Sequence, residues 1–528
     1  PRYVPNRASV SLPAIEHNTR QLHSLLGEQT ALMAIMKADA YGHGMIEAAS
    51  AALAGGATWL GVAHPSSALA LARAGFDVPI LAWLYEPVSA REVLPHAIGA
   101  GIDVAVSSLE QFELVSEAAR MVDRCARVHV KMDTGMGRSG VQKGGVGSLG
   151  AKVRASDFTQ LVGAMSHLYD ADSVGAASID AQADEFVDMC RILEEEAGPI
   201  PIKHLANSAA LLTRPDLHFD MVRPGIALYG YPPVATELEL RPALSLTSRM
   251  SVIKDVDTGQ VVGYGAMHTC PEATTLGVVP VGYADGLPRL ASNRASVLVR
   301  TEAGDERVPQ VGRISMDQIV VDLGQATNAR VGDQVMVFGD PHAIEGAPTA
   351  SEWAEASDTI VYEVLTSIAA RVPRVTEPLV RAEERSWEPA APAARTLTVH
   401  TAGADDTRRA ARALASSARA GDLFVLDGPL GAGKTTFTQG FASALNVRGN
   451  VASPTFVISR VHPNEGEGPD LVHVDAYRLD EEWDIEDLDL DSDVDSSITL
   501  VEWGRDRVEH LSESFAIVEL RRLSLIHI

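Results

Sequence analysis

Cysteine is scarce: three in 528 residues, Cys125, Cys190 and Cys270, lie far apart and without metal-ligand spacing. That argues against a disulfide framework and a cysteine-built metal centre. Positive charge is also short, 44 lysines and arginines against 70 acidic residues, for a formal charge of −26. Nonspecific attraction to nucleic acid or anionic lipid is therefore not expected, and partners are expected among small molecules and proteins. Long apolar runs are missing as well. No segment is long enough to cross a bilayer, and Pro1 to Pro13 is too short, polar and proline-broken for a secretory signal, so a cytoplasmic home is expected. What remains, 46% hydrophobic and 22% charged residues, is the composition of a soluble globular chain, long enough for roughly three domains.

From Ser9 to about Tyr231 short apolar runs alternate with alanine-rich amphipathic stretches. Leu32 to Met36, Trp59 to Val62, Ile80 to Leu84, Asp103 to Val106, Arg127 to Met132, Gly163 to Ser166 and His204 to Leu205 are predicted strands, with helices such as Pro65 to Ala74 and Leu109 to Ala119 between them. This alternation predicts a parallel (β/α)8 barrel over residues 1–231, with chemistry at the strand C-termini, where Lys37, Lys131, His167 and Asn207 fall. After Pro232 the texture turns valine-rich and glycine-punctuated, which predicts an all-β domain to about residue 376. A Glu/Arg/Pro/Ala-rich linker follows at 377–395. A new α/β unit is predicted over 396–522, with an exposed acidic run from Asp480 to Asp495. The last six residues, Leu523 to Ile528, resemble translated adapter sequence and are expected to be non-native.

Lys37 ends the run Ala34-Ile35-Met36 and precedes a glycine-flanked aromatic loop. Burial at a strand end disfavours the protonated amine, and a neutral amine condenses with an aldehyde. Tyr41, four residues on, is placed to donate to a phosphate on the same cofactor. The whole string MKADAYGHG resembles the cofactor-lysine motif of alanine racemases. The resemblance recurs in order over Tyr3 to Val375: KMDTGMGR with Lys131 and Arg138, HLYDAD with His167, ANSAA with Asn207 and Ser208, RPGIALYG with Arg223, Gly225 and Ile226, GYGA with Tyr264, GYADG with Tyr283, GRISMDQ with Met316 and Asp317, and VYE with Tyr362.

That resemblance implies pyridoxal 5′-phosphate as cofactor, L- and D-alanine as substrates, and a homodimer. Two bases, Lys37 and Tyr264, would handle the α-proton from opposite faces, the tyrosine coming from the partner subunit. It assigns Arg223 to the pyridine nitrogen. A guanidinium cannot accept the ring's proton, so the ring stays unprotonated and side reactions such as transamination are suppressed. His167 is expected to support Arg223, Arg138 to bind the substrate carboxylate, and Lys131, a position that can be carbamylated, to support Arg138. Tyr41, Ser208, Gly225, Ile226 and Tyr362 map to phosphate contacts and Asn207 to the cofactor site. Tyr283 and Met316 map to the substrate-side wall, with Asp317 in support. Another barrel-type pyridoxal phosphate enzyme, a decarboxylase or a broader racemase, is the alternative.

The second chemistry lies in Gly428-Pro429-Leu430-Gly431-Ala432-Gly433-Lys434-Thr435, which fits G-x-x-x-x-G-K-[ST] between a predicted strand, Leu423 to Leu426, and a predicted helix, Thr436 to Leu445. That context predicts a P-loop whose N–H groups and helix N-terminus face phosphate, with Lys434 on the β- and γ-phosphates of ATP and Thr435 on Mg²⁺. SPTF (Ser453 to Phe456), HVDAYRL with Asp475, and VEWG with Glu502 resemble the TsaE family, small ATPases assisting tRNA threonylcarbamoyladenosine synthesis. The resemblance implies Asp475 as the catalytic or water-orienting carboxylate, Glu502 as a metal helper, and partner proteins of that assembly. A nucleotide-gated docking module without useful hydrolysis is the alternative.

Overall fold

The computed structural model describes residues 5–377 and, beyond them, 401, 403–415, 418–427, 432–445, 447, 459–464, 466, 468–475, 497–502 and 515–520. The chain divides into two compact units, Pro1–Arg385 and Ser386–Ile528. Most of the expected linker, the acidic run and the terminal tail lie outside the described residues.

The first strand departs from the predicted layout. β1 (Arg7–Ser11) precedes the barrel and does not join it. Its alternating burial is that of a strand with one wet face, whereas barrel strands such as Trp59–Val62 and Asp103–Val106 are buried along their length. The barrel begins with β2 (Ala31–Ile35), followed by β3 (Trp59–Val62), β4 (Ile80–Ala82), β5 (Asp103–Val106), β6 (Ala126–Lys131), β7 (Thr159–Met165), β8 (Ile202–His204) and β9 (Met221–Val222). Neighbours run parallel in the order β8-β7-β6-β5-β4-β3-β2-β9. Single bonds, instead of a ladder, link the two ends of the row: Lys203 N donates to Asp220 Oδ2 (2.8 Å) and Asp220 N to Lys203 O (3.1 Å). The barrel is therefore nearly closed, with its strand C-termini gathered at one face.

A β-rich part follows: β10 (Leu244–Arg249), β11 (Val252–Val256), β12 (Val261–Val262), β13 (His268–Thr269), β14 (Thr274–Val279), β15 (Ser296–Thr301), β16 (Gly304–Val311), β17 (Ile319–Gly324), β18 (Gln334–Phe338) and β19 (Arg374–Glu377). Nine strands form one sheet in the order β11-β14-β17-β16-β15-β18-β10-β1-β19, with β1 antiparallel to β10 and parallel to β19. The N-terminus thus stitches the sheet whose other strands come after the barrel. Two short helices, Ala350–Ala356 and Val361–Thr366, follow β18. The first opens on a capping box in which Thr349 Oγ1 accepts from Glu352 N and Glu352 Oε2 accepts from Thr349 N.

In the second unit, β20 (Leu423–Asp427), β21 (Ser459–His462), β22 (Leu471–Asp475), β23 (Ile498–Glu502) and β24 (Phe515–Glu519) form a sheet in the order β21-β22-β23-β20-β24, parallel except for β21. Helices Ala404–Ala415 and Lys434–Ala442 pack together. At their crossing Gly440 lies so close that a Cβ on it would come within 2.6 Å of the Arg408 backbone. Among the described residues no helix is long and apolar enough to cross a membrane, and no His/Cys/Asp/Glu cluster forms a metal cage.

Candidate active site

Lys37 stands just past the end of β2, and the chain beyond it does something no glycine rule foretells. Ala38, Asp39, Ala40 and Tyr41 all take left-handed backbone angles, with φ between 52° and 55°. Each such residue costs about 1–2 kcal/mol relative to a right-handed turn, so the surroundings must hold them. Ala40 N donates to Met36 O (3.0 Å), Gly44 N to Asp39 O (3.1 Å), and Met45 N to Asp39 Oδ1 (2.8 Å). Gly42 closes the turn where a Cβ would meet Leu365 O at 2.6 Å. The buried His43 ring stacks on Tyr229 at 4.5 Å. The result is a turn that brings Tyr41 back beneath the lysine, whose amine sits 5.6 Å from the ring centroid.

Around that amine lies a cavity of about 300 Å³ at the C-terminal face of the barrel. The sequence-predicted residues Lys37, Tyr41, Lys131, Arg138, His167, Asn207, Ser208, Arg223, Gly225, Ile226 and Tyr362 all line it, the last from helix Val361–Thr366. Burial, reinforced by Arg138, lowers the Lys37 pKa. The Lys131 amine, which donates to Ser139 Oγ at 2.6 Å, falls to about 8 through burial, aided by Arg138 and Arg223. His167 falls to about 3 by burial and then by the charges of Arg223 and Arg138, so it is a neutral ring at working pH. The Tyr362 phenol rises to about 12, again by burial first. Two lysines and two arginines converging here make the cavity anion-seeking. At its rim Ser208 Oγ accepts from Gly225 N (2.9 Å). Gly225 itself gives way to Tyr41, whose hydroxyl would be 2.3 Å from a Cβ there.

The histidine hydrogen-bonded to Arg223 is His204, with Arg223 Nη1 donating to His204 Nδ1 at 3.0 Å, while His167 lies close enough to feel the Arg223 charge. Arg223 Nη2 donates to Ser166 O and to Leu205 O (3.3 Å). His204 is the last residue of β8, beside the segment that leads through β9 to Arg223, so its ring reaches the guanidinium from inside the barrel. Behind it the bonds continue through His129 to Asp103 and Arg127. None of these four was singled out in the sequence. The available signal was a polar residue inside an otherwise apolar strand, at Asp103 and at His129.

Tyr264, Tyr283, Met316 and Asp317 do not line this cavity. Tyr264 sits in a tight turn between Gly263 and Gly265, both with positive φ, and its side chain is 70% exposed. Tyr283 and Met316 are also exposed and lie on two loops joined by Tyr283 N to Ser315 O and Ala284 N to Met316 O, both 3.0 Å. Arg371 pins both loops, pairing through Nε with the buried Asp285 (2.8 Å) and through Nη2 with Asp317 (2.7 Å). Arg371→Met would leave Asp285 buried with the Gly282 N–H (2.8 Å) but without its countercharge. A stability loss of about 1–2 kcal/mol is expected, less than for a fully buried pair because Arg371 is half-exposed. Urea denaturation checks this, and an unchanged midpoint would contradict it.

In the second unit Gly428, Gly431 and the side chain of Asp475 lie outside the described residues. Ala432 and Gly433 lead into the helix that starts at the buried Lys434 and carries Thr435 and Thr436 in its first turn. Asp475 and Glu502 end neighbouring parallel strands in direct register, and Leu426 of β20 pairs with Glu502 on the other side. The ends of β22, β23 and β20 are thus adjacent. Glu502 is buried, its Oε1 accepting from Thr438 Oγ1 (3.0 Å) and facing His473 Nε2 (3.2 Å).

Residues 10–233 match the family model described as "Alanine racemase, N-terminal domain", residues 243–376 "Alanine racemase, C-terminal domain", and residues 401–524 "Threonylcarbamoyl adenosine biosynthesis protein TsaE". Among curated relatives, the alanine racemase of Beutenbergia cavernae is 43% identical over 378 residues, covering 70% of this chain and 97% of that one. That of Thermobifida fusca is 44% identical over 382 residues, covering 71% and 98%. Among solved structures, alanine racemase from Streptomyces lavendulae superposes with a TM-score of 0.68 at 40% identity, over 72% of this chain and 99% of that one. The Streptomyces coelicolor enzyme gives 0.67 at 43%, over 71% and 98%. By nearly full-length likeness to these enzymes across its first unit, the chain belongs to the alanine racemase family.

Proposed function

We propose that the first unit interconverts L-alanine and D-alanine with pyridoxal 5′-phosphate, as a homodimer in which each site takes one base from either subunit. The observation that carries this is a single one: a partly desolvated amine of lowered pKa, Lys37, shares its cavity with Arg223 and Arg138, while Tyr264 stands exposed outside it. The donor set fits the cofactor. Lys37 supplies an aldehyde-reactive amine; Tyr41, Ser208, Gly225, Ile226 and Tyr362 would hold a phosphate, with His167 and Asn207 alongside; and Arg223 would meet the ring nitrogen. The removal of side-chain bulk at Gly225 leaves that phosphate end open to Tyr41. When bound, the cofactor supplies a sink for the electron pair left at the α-carbon.

The remaining work belongs to the chain. Arg138, supported by the Lys131–Ser139 pair next to it, orients the substrate carboxylate. Lys37 Nζ takes or returns the proton on one face of the α-carbon, and Tyr264 Oη of the partner subunit does so on the other. Tyr283 and Met316, which do not line this chain's own cavity, would wall the substrate side in the dimer and keep the pocket small enough to favour alanine. The D-alanine formed would serve cell-wall peptidoglycan, and a cytoplasmic site of action fits that role. Supplied with cofactor, the purified protein is expected to form D-alanine from L-alanine, and borohydride followed by peptide mapping to leave the cofactor on Lys37. Absence of D-alanine, or a label on another lysine, would contradict the assignment.

For the second unit, ATP and Mg²⁺ are the proposed ligands, with a role beside other proteins in tRNA threonylcarbamoyladenosine synthesis. Support comes from the TsaE family match and from the strand-to-helix passage at Lys434 with Asp475 and Glu502 at adjacent strand ends. Thr435 would ligate Mg²⁺ with help from Glu502, and Asp475 would orient the attacking water. Lys434→Ala is expected to weaken ATP binding about ten- to a hundredfold while leaving racemisation unchanged. Calorimetry on the full chain checks it, and undiminished binding would contradict the assignment.

A further inference from the structure

We infer that Asp103, at the N-terminal end of the barrel strands, is a positioning residue for the Arg223 guanidinium, acting through His129 and His204. The inference rests on the racemase assignment only in giving Arg223 its place at the cofactor.

Each link has a single permitted direction. A guanidinium has only hydrogens to give, so Arg223 Nη1 donates to His204 Nδ1 at 3.0 Å. A neutral imidazole that accepts at Nδ1 carries its hydrogen on Nε2, and that atom lies 2.9 Å from His129 Nδ1. His129 therefore accepts at Nδ1 and carries its own hydrogen on Nε2, which donates to Asp103 Oδ2 at 3.1 Å. A carboxylate ends the series because it only accepts. Arg127 closes the far end, donating through Nε to Oδ1 (2.6 Å) and through Nη2 to Oδ2 (3.2 Å). Moving any one proton sets two hydrogens or two lone pairs against each other, so the donor at Arg223 and the acceptor oxygen of Asp103 together hold both tautomers, and without that acceptor one end of the series is free.

The barrel is cut to fit this series. Asp103, His129 and His204 are fully buried, where unpaired polar groups are costly, and a barrel interior is ordinarily filled with branched apolar side chains. Gly163 on β7 makes the room: a Cβ there would lie 2.4 Å from His129 Nδ1. The His129 and His204 rings meet edge-on at 5.1 Å, and Trp59 packs edge-on against His129 at 5.8 Å. Burial and the Arg223 charge keep His204 from protonating. With Nη1 held by His204 and Nη2 by Ser166 O and Leu205 O, none of these bonds uses Nε. Of the five guanidinium hydrogens, Nε–H and the second one on Nη1 are not used by these bonds.

The test is ¹⁵N NMR of histidine-labelled holoenzyme, signals assigned by difference against His129→Asn and His204→Asn. Both rings are expected neutral with hydrogen on Nε2; an Nδ1–H or protonated ring at either position overturns the proposal with no change to Asp103. Asp103→Leu removes the acceptor. It is expected to give mixed tautomers at His204, to alter the absorbance of bound cofactor, and to lower kcat by about 10²-fold with little change in KM. Asp103→Asn keeps an acceptor oxygen and is expected to restore the Nε2–H tautomers and most of the rate. A folded Asp103→Leu with wild-type tautomers and absorbance would overturn the proposal. If the protein takes up no pyridoxal phosphate, the racemase assignment fails, whereas the wild-type tautomers still decide the relay.

Discussion

Lys37→Ala is expected to lower alanine interconversion by about 10⁴-fold or more. A positioned base alone contributes about 10²–10⁴, and this residue is also the proposed point of covalent cofactor attachment. Nothing nearby replaces it. The other cavity lysine, Lys131, comes from a different strand and its amine is committed to Ser139 Oγ at 2.6 Å. The lowered Lys37 pKa has a sign that can be checked with the same variant. An amine whose pKa lies below that of free lysine is neutral over a wider range toward low pH, so in apoprotein its reaction with aldehyde should reach half-maximum below the ordinary lysine value. Lys37→Ala should abolish that low-pH phase. A variant retaining activity within tenfold of wild type would remove Lys37 from the centre of the chemistry.

Tyr264→Phe should be nearly as damaging, by about 10²–10⁴-fold, and its signature is more specific than a slow rate. Interconversion needs a proton removed from one face and delivered on the other, so losing either base slows both directions. The equilibrium between two enantiomers fixes the ratio of the two directions, and they must fall by the same factor. Exchange of the α-hydrogen with solvent needs only one base. In Tyr264→Phe the enantiomer handled by Lys37 should keep exchanging in D₂O while the other stops. Equal loss of exchange from both enantiomers would mean that Tyr264 does not serve a single face. Arg371 bears on this region at a distance, because it ties Asp285 and Asp317 to the loops that carry Tyr283 and Met316.

Much of this was legible in the chain, for identifiable reasons. Trp59–Val62 and Asp103–Val106 have the bounds expected of them, because each is a short, largely apolar run stopped by turn or helix-cap residues. The two-residue β9 is too short to carry a period. β1 alternates apolar and polar positions, but its membership in the distant sheet depends on pairings with β10 and β19 that no local pattern contains. The left-handed turn at Ala38–Tyr41 has no glycine within it and reads as an ordinary loop; the local Met45 N–Asp39 Oδ1 bond, the Arg374 Nε–Gly42 O bond (3.1 Å) and the close approach of Leu365 O to Gly42 hold it. At the site, motif strings brought the cavity residues into view, but they did not single out His204, because a string records residues near in sequence. The partner of Arg223 is set by which strands the barrel closes against each other.

Complementation between two inactive variants tests the central claim most directly. Lys37→Ala and Tyr264→Phe proteins, each nearly inactive alone, are mixed and allowed to exchange subunits. If each site takes Lys37 from one subunit and Tyr264 from the other, half the dimers become mixed and each of those regains one intact site. Activity should then recover to about a quarter of the wild-type rate. A mixture that stays as inactive as its components, with exchange verified by mass, would place both bases on the same chain and contradict the account.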